Sequence, residues 1–187
     1  MRKSNKLESI TSEYSKRKND YSSVGQYFAF WGLWLTLTCI VVYLTGFHSI
    51  WFFSTIAGVI VQYAATKYLV KKHGFVFKQS LTISALWIFL ALSTIIFFFV
   101  MPAVLKVYSH KYILHFISIE MFMGLVITAA YLRSLPFFAG ALVYFFTGIF
   151  FKHFENRTEV IYFSIQFMSG FFLPGIWSMY ESRNKKI

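Results

Sequence analysis

Cysteine occurs once in this chain of 187 residues and proline three times. A lone thiol closes no internal disulfide, and so few prolines leave long helices uninterrupted. Charge is also scarce: 13% of residues are charged and only seven are acidic, against roughly a quarter charged in an ordinary soluble domain. That is too little polar surface to cover a water-exposed globule, and too little charge for a disordered chain. Collagen-like repeats and disulfide scaffolds are excluded on the same grounds. Protease, hydrolase and nucleotide-binding signatures are missing as well: the chain has no H-E-x-x-H, no G-x-S-x-G and no P-loop.

What is present is apolar. Hydrophobic residues make up 57% of the chain, with 24 Phe, 12 Tyr and 5 Trp, and the mean hydropathy is +0.58. A transmembrane helix needs about 20 consecutive apolar residues, and six stretches approach that length. They run from Gly25 to Phe47, Ile50 to Val70, Ser80 to Leu105, Tyr112 to Leu132, Pro136 to Lys152 and Val160 to Tyr180. The fold expected is an all-α, polytopic membrane bundle of six transmembrane helices. Its parts are a basic cytoplasmic segment over residues 1–24, a transmembrane domain over 25–180 and a basic tail over 181–187.

Charge sets the orientation. The net charge is +11, from 18 Lys and Arg against seven acids. With the first segment inside, 14 of the 18 basic residues fall on the cytoplasmic side and four (Lys106, Lys111, Lys152, Arg157) outside. The positive-inside rule then puts both ends of the chain in the cytoplasm. Anionic headgroups account for the basic excess, and no basic helix with stacking aromatics points to nucleic acid. Leu7, Ile10 and Tyr14 recur at helical spacing, so the first segment reads either as a short amphipathic helix on the inner leaflet or as a solvated tether. It lacks the small-residue cleavage site of a secretory signal.

Glu120 is the one ionisable residue deep inside an apolar stretch. An acid near the bilayer centre costs about 2.5–3.5 kcal/mol on insertion scales, so it is normally turned inward and paired or protonated. Gly124 and Thr128 follow at i+4 and i+8, a small and polar stripe suited to close helix contact. Glu120 lies roughly 12 Å below the outer end of its stretch at 1.5 Å per residue. Gln166 and Thr38 fall at similar depth, and a Glu120–Gln166 hydrogen bond is expected. Glu120, Gln166, Thr38, Gly124 and Thr128 are thus the candidate ligand-binding set, or else a polar tie within the bundle.

Other constellations are weaker. His48, His110 and His153 gather on the outer rim as possible metal ligands, yet none shares a helix face at i, i+4. Cys39 lies in the first stretch, where apolar burial makes a thiol inert. Asn156-Arg157-Thr158 matches a glycosylation sequon in a short loop. Gly32, Gly58, Gly140 and Gly148 offer close helix approaches, and Pro174-Gly175 is expected to kink or loosen the last helix. Trp51, Trp177, Tyr180 and Tyr43 mark stretch ends, as interfacial aromatics do. The run from Ala57 to Val61 echoes the run from Ala139 to Val143, as duplicated halves would, although composition alone produces such a match.

The chain also resembles a group of small six-helix membrane proteins common in Bacteroidota. The likeness rests on FAFWGLW (Phe28 to Trp34), a basic second loop leading to SALWIF (Ser84 to Phe89), AAYLRSLPFFAGALVYFFTGIF (Ala129 to Phe150) and GFFLPGIW (Gly170 to Trp177). The resemblance implies residence in a bacterial inner membrane and carries no activity or functional residues. The sequence therefore predicts a non-enzymatic membrane protein without cofactor, working through the lipid bilayer, other membrane proteins or self-association. The alternative is a small transporter, or the substrate-binding subunit of one, with its polar site at Glu120.

Overall fold

The computed structural model describes residues 2–47, 49–73, 81–96, 110–150 and 158–184. All regular structure among them is helical: α1 (Arg2–Thr45), α2 (Ile50–His73), α3 (Leu81–Ile95), α4 (His110–Leu132), α5 (Leu135–Phe150), α6 (Thr158–Phe167) and α7 (Leu173–Asn184). A π turn, Met168–Phe172, joins α6 to α7 without a break, so the three form one rod from Thr158 to Asn184.

Helix ends follow local chemistry. Gly46 stops α1 with a positive φ of 73°, and its N–H donates to the Val42 carbonyl at 2.8 Å. This is the left-handed stop that glycine adopts without a Cβ penalty. Between α4 and α5, Arg133 takes a φ of 52° and the Ser134 N–H returns to the Ala129 carbonyl at 2.9 Å. The Ser134 hydroxyl accepts the Phe137 N–H at 3.5 Å as an N-cap. Pro136 sits in the first turn of α5, where its missing N–H needs no partner.

Neighbours in space are partly distant in sequence. α4 and α5 form a tight hairpin, and α1 lies along the whole C-terminal rod. α5 leans on the π turn and α7, while α2 packs on α1 and α3 on α4. The centre is aromatic: the Phe28 ring lies 4.8 Å from Phe137, 5.0 Å from Trp87 and 5.0 Å from Phe171. One side chain thus joins α1, α3, α5 and the π turn through offset and edge-on contacts.

Backbones touch where glycines sit. A Cβ on Gly175 would stand 2.5 Å from the Ala29 nitrogen and 2.6 Å from the Gly25 carbonyl oxygen. One on Gly32 would collide with the Phe172 backbone, and one on Gly140 with the Gly170 carbonyl. Helices that attract one another without water's help associate through such small-residue contacts. Gly58 and Gly148, also expected at contacts, receive Trp34 and Ser118 respectively.

The break at Pro174-Gly175 takes a specific form. A proline ring clashes with the carbonyl four residues back, here Gly170, and offers it no N–H. The chain widens to π winding just before it, with the Leu173 N–H donating to Met168. The helix continues instead of ending.

Among the described residues three helices are long and apolar enough to cross a membrane: Ser22–Thr45, His115–Leu132 and Thr158–Asn184. α2 has the length but carries Gln62, Thr66 and Lys67 in its second half. The apolar parts of α3 and α5, Ala85–Thr94 and Leu135–Ile149, are shorter. Large apolar side chains cover the outside as well as the inside, with Leu44 71% and Phe89 68% exposed. A helix apolar on all sides is a helix solvated by something other than water.

Candidate functional site

Every residue of the stripe Glu120, Gly124, Thr128 on α4 meets α3. Thr94 Oγ1 donates to Glu120 Oε2 at 2.8 Å and lies 3.0 Å from the Leu90 carbonyl of its own helix. One hydroxyl proton serves one of these two acceptors at a time. Gly124 is covered by Leu90 and the Trp87 ring, and Trp87 Nε1 donates to Thr128 Oγ1 at 3.1 Å. Glu120 is 5% exposed and Thr128 fully buried. The i, i+4, i+8 spacing is therefore the seat of α3.

Gln166 belongs to a second cluster, on the other side of α4. Its Nε2 donates to Thr147 Oγ1 on α5 and approaches Ser118 Oγ at 3.4 Å, while Ser118 Oγ lies 3.5 Å from Gln166 Oε1. Tyr162 closes the cluster by donating its hydroxyl to the Thr147 carbonyl at 3.0 Å. The expected Glu120–Gln166 bond is replaced by Thr94–Glu120 and Ser118–Gln166. Ser118 and Glu120 are two residues apart, which on a helix points them to different neighbours.

Thr38 lies in neither cluster. Its hydroxyl donates to the Trp34 carbonyl at 2.9 Å and shares a hydrogen bond with Ser54 on α2. Beside it, Trp34 Nε1 donates to the Ser54 carbonyl at 2.9 Å and Trp31 Nε1 to Gln62 Oε1 at 2.7 Å. These indole bonds fasten α2 to α1. Equal depth grouped Thr38 with Glu120, but depth says nothing of the angle around each helix.

The histidine group is largely out of view. His48 and His153 lie outside the described residues, and His110 opens α4. Among the described residues no three of His, Cys, Asp and Glu gather as a metal would need. Cys39 is a buried free thiol. The sequon's Asn156 and Arg157 also lie outside the described residues.

Sequence reasoning missed two things. Thr94, Ser118 and Thr147 were not singled out, since hydroxyls on apolar helices are common and their partners depend on helix rotation. Tyr144 was missed too. It is 1% exposed beside Gly170 and Phe171, and its hydroxyl has no hydrogen-bond partner among the described residues. Compared with protein families, curated proteins and solved structures, the chain matches none.

Proposed function

We propose that this is an integral inner-membrane protein of six spans, with both termini in the cytoplasm, that acts without enzymatic chemistry through contacts with membrane partners or lipid. The observation that carries the reading is the use of the buried polar groups. Glu120, Gln166, Ser118, Thr128 and Thr38 each make a side-chain hydrogen bond to a neighbouring helix, and Thr38 and Thr128 also donate to carbonyls of their own helices. Such bonds tie helices together in a medium that offers the groups no water. The outward surface, dense in exposed Phe, Ile and Leu, is then the working surface.

A second reading makes Glu120 the proton or cation site of a small transporter. Its support is the chemistry of the pair: a buried carboxyl faces an uncharged hydroxyl rather than a cationic side chain. Intramembrane acids of this kind often lie on ion pathways. Glu120→Gln separates the two. The amide still accepts the Thr94 hydrogen bond, so the contact reading expects unchanged thermal stability and unchanged behaviour in vesicles. Normal folding with loss of a proton or sodium flux across proteoliposomes would establish the transport reading instead.

A further inference from the structure

The aromatic residues on the outside of the protein are sorted by end. Among the described residues the exposed tyrosines are Tyr63, Tyr68, Tyr131 and Tyr180, and the exposed tryptophan is Trp177. Helix registers place them. Trp31 bonds to Gln62 and Trp34 covers Gly58, so α2, running against α1, brings Lys67 level with Gln26 and Tyr68 level with Gly25. Gly25 meets Ser178 and Gly175 meets Ala29, so Trp177 lies level with Gln26 and Tyr180 with Ser23. Phe28 meets Phe137 on α5, which runs the same way as α1, so the α4–α5 turn, with Tyr131 and Arg133, lies near Gly25. Tyr63 lies about one turn deeper than Tyr68.

Three elements far apart in sequence thus carry aromatic side chains to one level, between Ser23 and Tyr27 of α1. That is roughly 6 Å of helix axis at 1.5 Å per residue, about the depth of one headgroup layer of a bilayer. It is also where the membrane-compatible part of α1 begins, at Ser22. Rings with an apolar body and a polar tip settle at that layer. At the other end the exposed rings are Phe47, Phe52 and Phe53, which carry no polar atom.

Charge is sorted the same way. Lys67, Arg133 and Arg183 are exposed at the tyrosine end. The Lys67 ammonium lies 4.7 Å from the centre of the Tyr63 ring. Arg183 follows Tyr180 by three residues on α7, which puts both on one face. No ion pair joins any of the three cations to another described residue, and Glu181, the acid at this level, already interacts within the chain. At the other end the charged side chain among the described ones is Glu159.

We propose that this one-sided belt binds anionic phospholipid of a single leaflet, the cytoplasmic one in the topology above. Phenol and indole tips donate to phosphate and ester oxygens, while the three cations match the net negative charge that a zwitterionic lipid lacks. The proposal rests on the bilayer reading and names the lipid class within it.

Native mass spectrometry of the full chain, released from detergent holding equal phosphatidylglycerol and phosphatidylcholine, tests the belt. Phosphatidylglycerol should be retained over phosphatidylcholine. Lys67→Gln, Arg133→Gln and Arg183→Gln should each weaken its binding by roughly fivefold, and all three together by roughly a hundredfold. Lys106→Gln with Lys152→Gln and Arg157→Gln removes the same charge from the opposite side of the proposed topology and should lose far less. The belt side chains are exposed, so unfolding in lipid-free detergent should stay unchanged; the single exchanges carry the test if the triple one fails to fold. Equal retention of the two lipids, undiminished binding in the belt variants, or equal loss in both triple variants overturns the belt. So does displacement of the lipid by inorganic phosphate at the same concentration, which would make this a site for a free anion. Protein that does not float with vesicles overturns the bilayer reading, and this proposal with it.

Discussion

Tyr144 holds its hydroxyl buried with no hydrogen-bond partner among the described residues. A buried polar group left without a partner costs about 1–3 kcal/mol. Tyr144→Phe removes the oxygen and keeps the ring that packs on Phe171 at 5.3 Å. The variant should be as stable as the parent or more so, by up to that amount, in a thermal unfolding series in detergent. A loss of stability would show that the hydroxyl is bonded after all. At this scale the sequence was half legible. Glu120, Gly124 and Thr128 stood out because an acid and a stripe of small residues are rare in an apolar helix. Which helix would meet them was not legible, because Thr94 on α3 and Ser164 on α6 are equally ordinary hydroxyls until the helices are rotated into place.

Among the elements, the contact between α1 and α7 is the most exacting. In a helix interior alanine is favoured over glycine by about 1 kcal/mol. At Gly175 the sign should reverse, since the new methyl would meet the Ala29 nitrogen at 2.5 Å and the Gly25 oxygen at 2.6 Å, both backbone atoms. Gly175→Ala is expected to lower the midpoint of unfolding. At Gly148 the nearest atom is the Ser118 Cβ at 3.2 Å, so Gly148→Ala should lose far less. Comparing the two melts in one detergent tests whether backbone approach, rather than glycine's flexibility, holds the rod. Helix positions were legible here from apolar length, and Pro136 and Pro174 marked a start and a bend. The π turn was not, because a sequence shows that a proline must be accommodated without showing how.

Among the described residues, each of the six apolar stretches contains a helix, and length and composition qualify three of these helices as spans. The remaining crossings belong to the proposed topology, which labelling in cells can test. Asn156→Cys should react with a membrane-impermeant maleimide on intact cells, and Gly74→Cys only after lysis. The same pattern of access at both sites would mean an odd number of crossings between them has been miscounted. The all-helical class was legible because long apolar stretches poor in proline can satisfy their own backbone only locally, as helices do. Neighbour relations were illegible for the opposite reason: apolar faces look alike in sequence, so α1 gave no sign that its main companion would be the last helix.

That companionship has a bearing on biogenesis. Because α1 is clasped by the rod of residues 158–184 through Gly25, Ala29, Gly32 and Gly175, a helix made early must wait for one made at least 113 residues later before its groove is filled. Until then α1 exposes a cleft of bare peptide. Closure of this contact is thereby timed by synthesis of the rod, and a nascent chain stalled before residue 158 would be recognisable to quality-control machinery by that uncovered cleft.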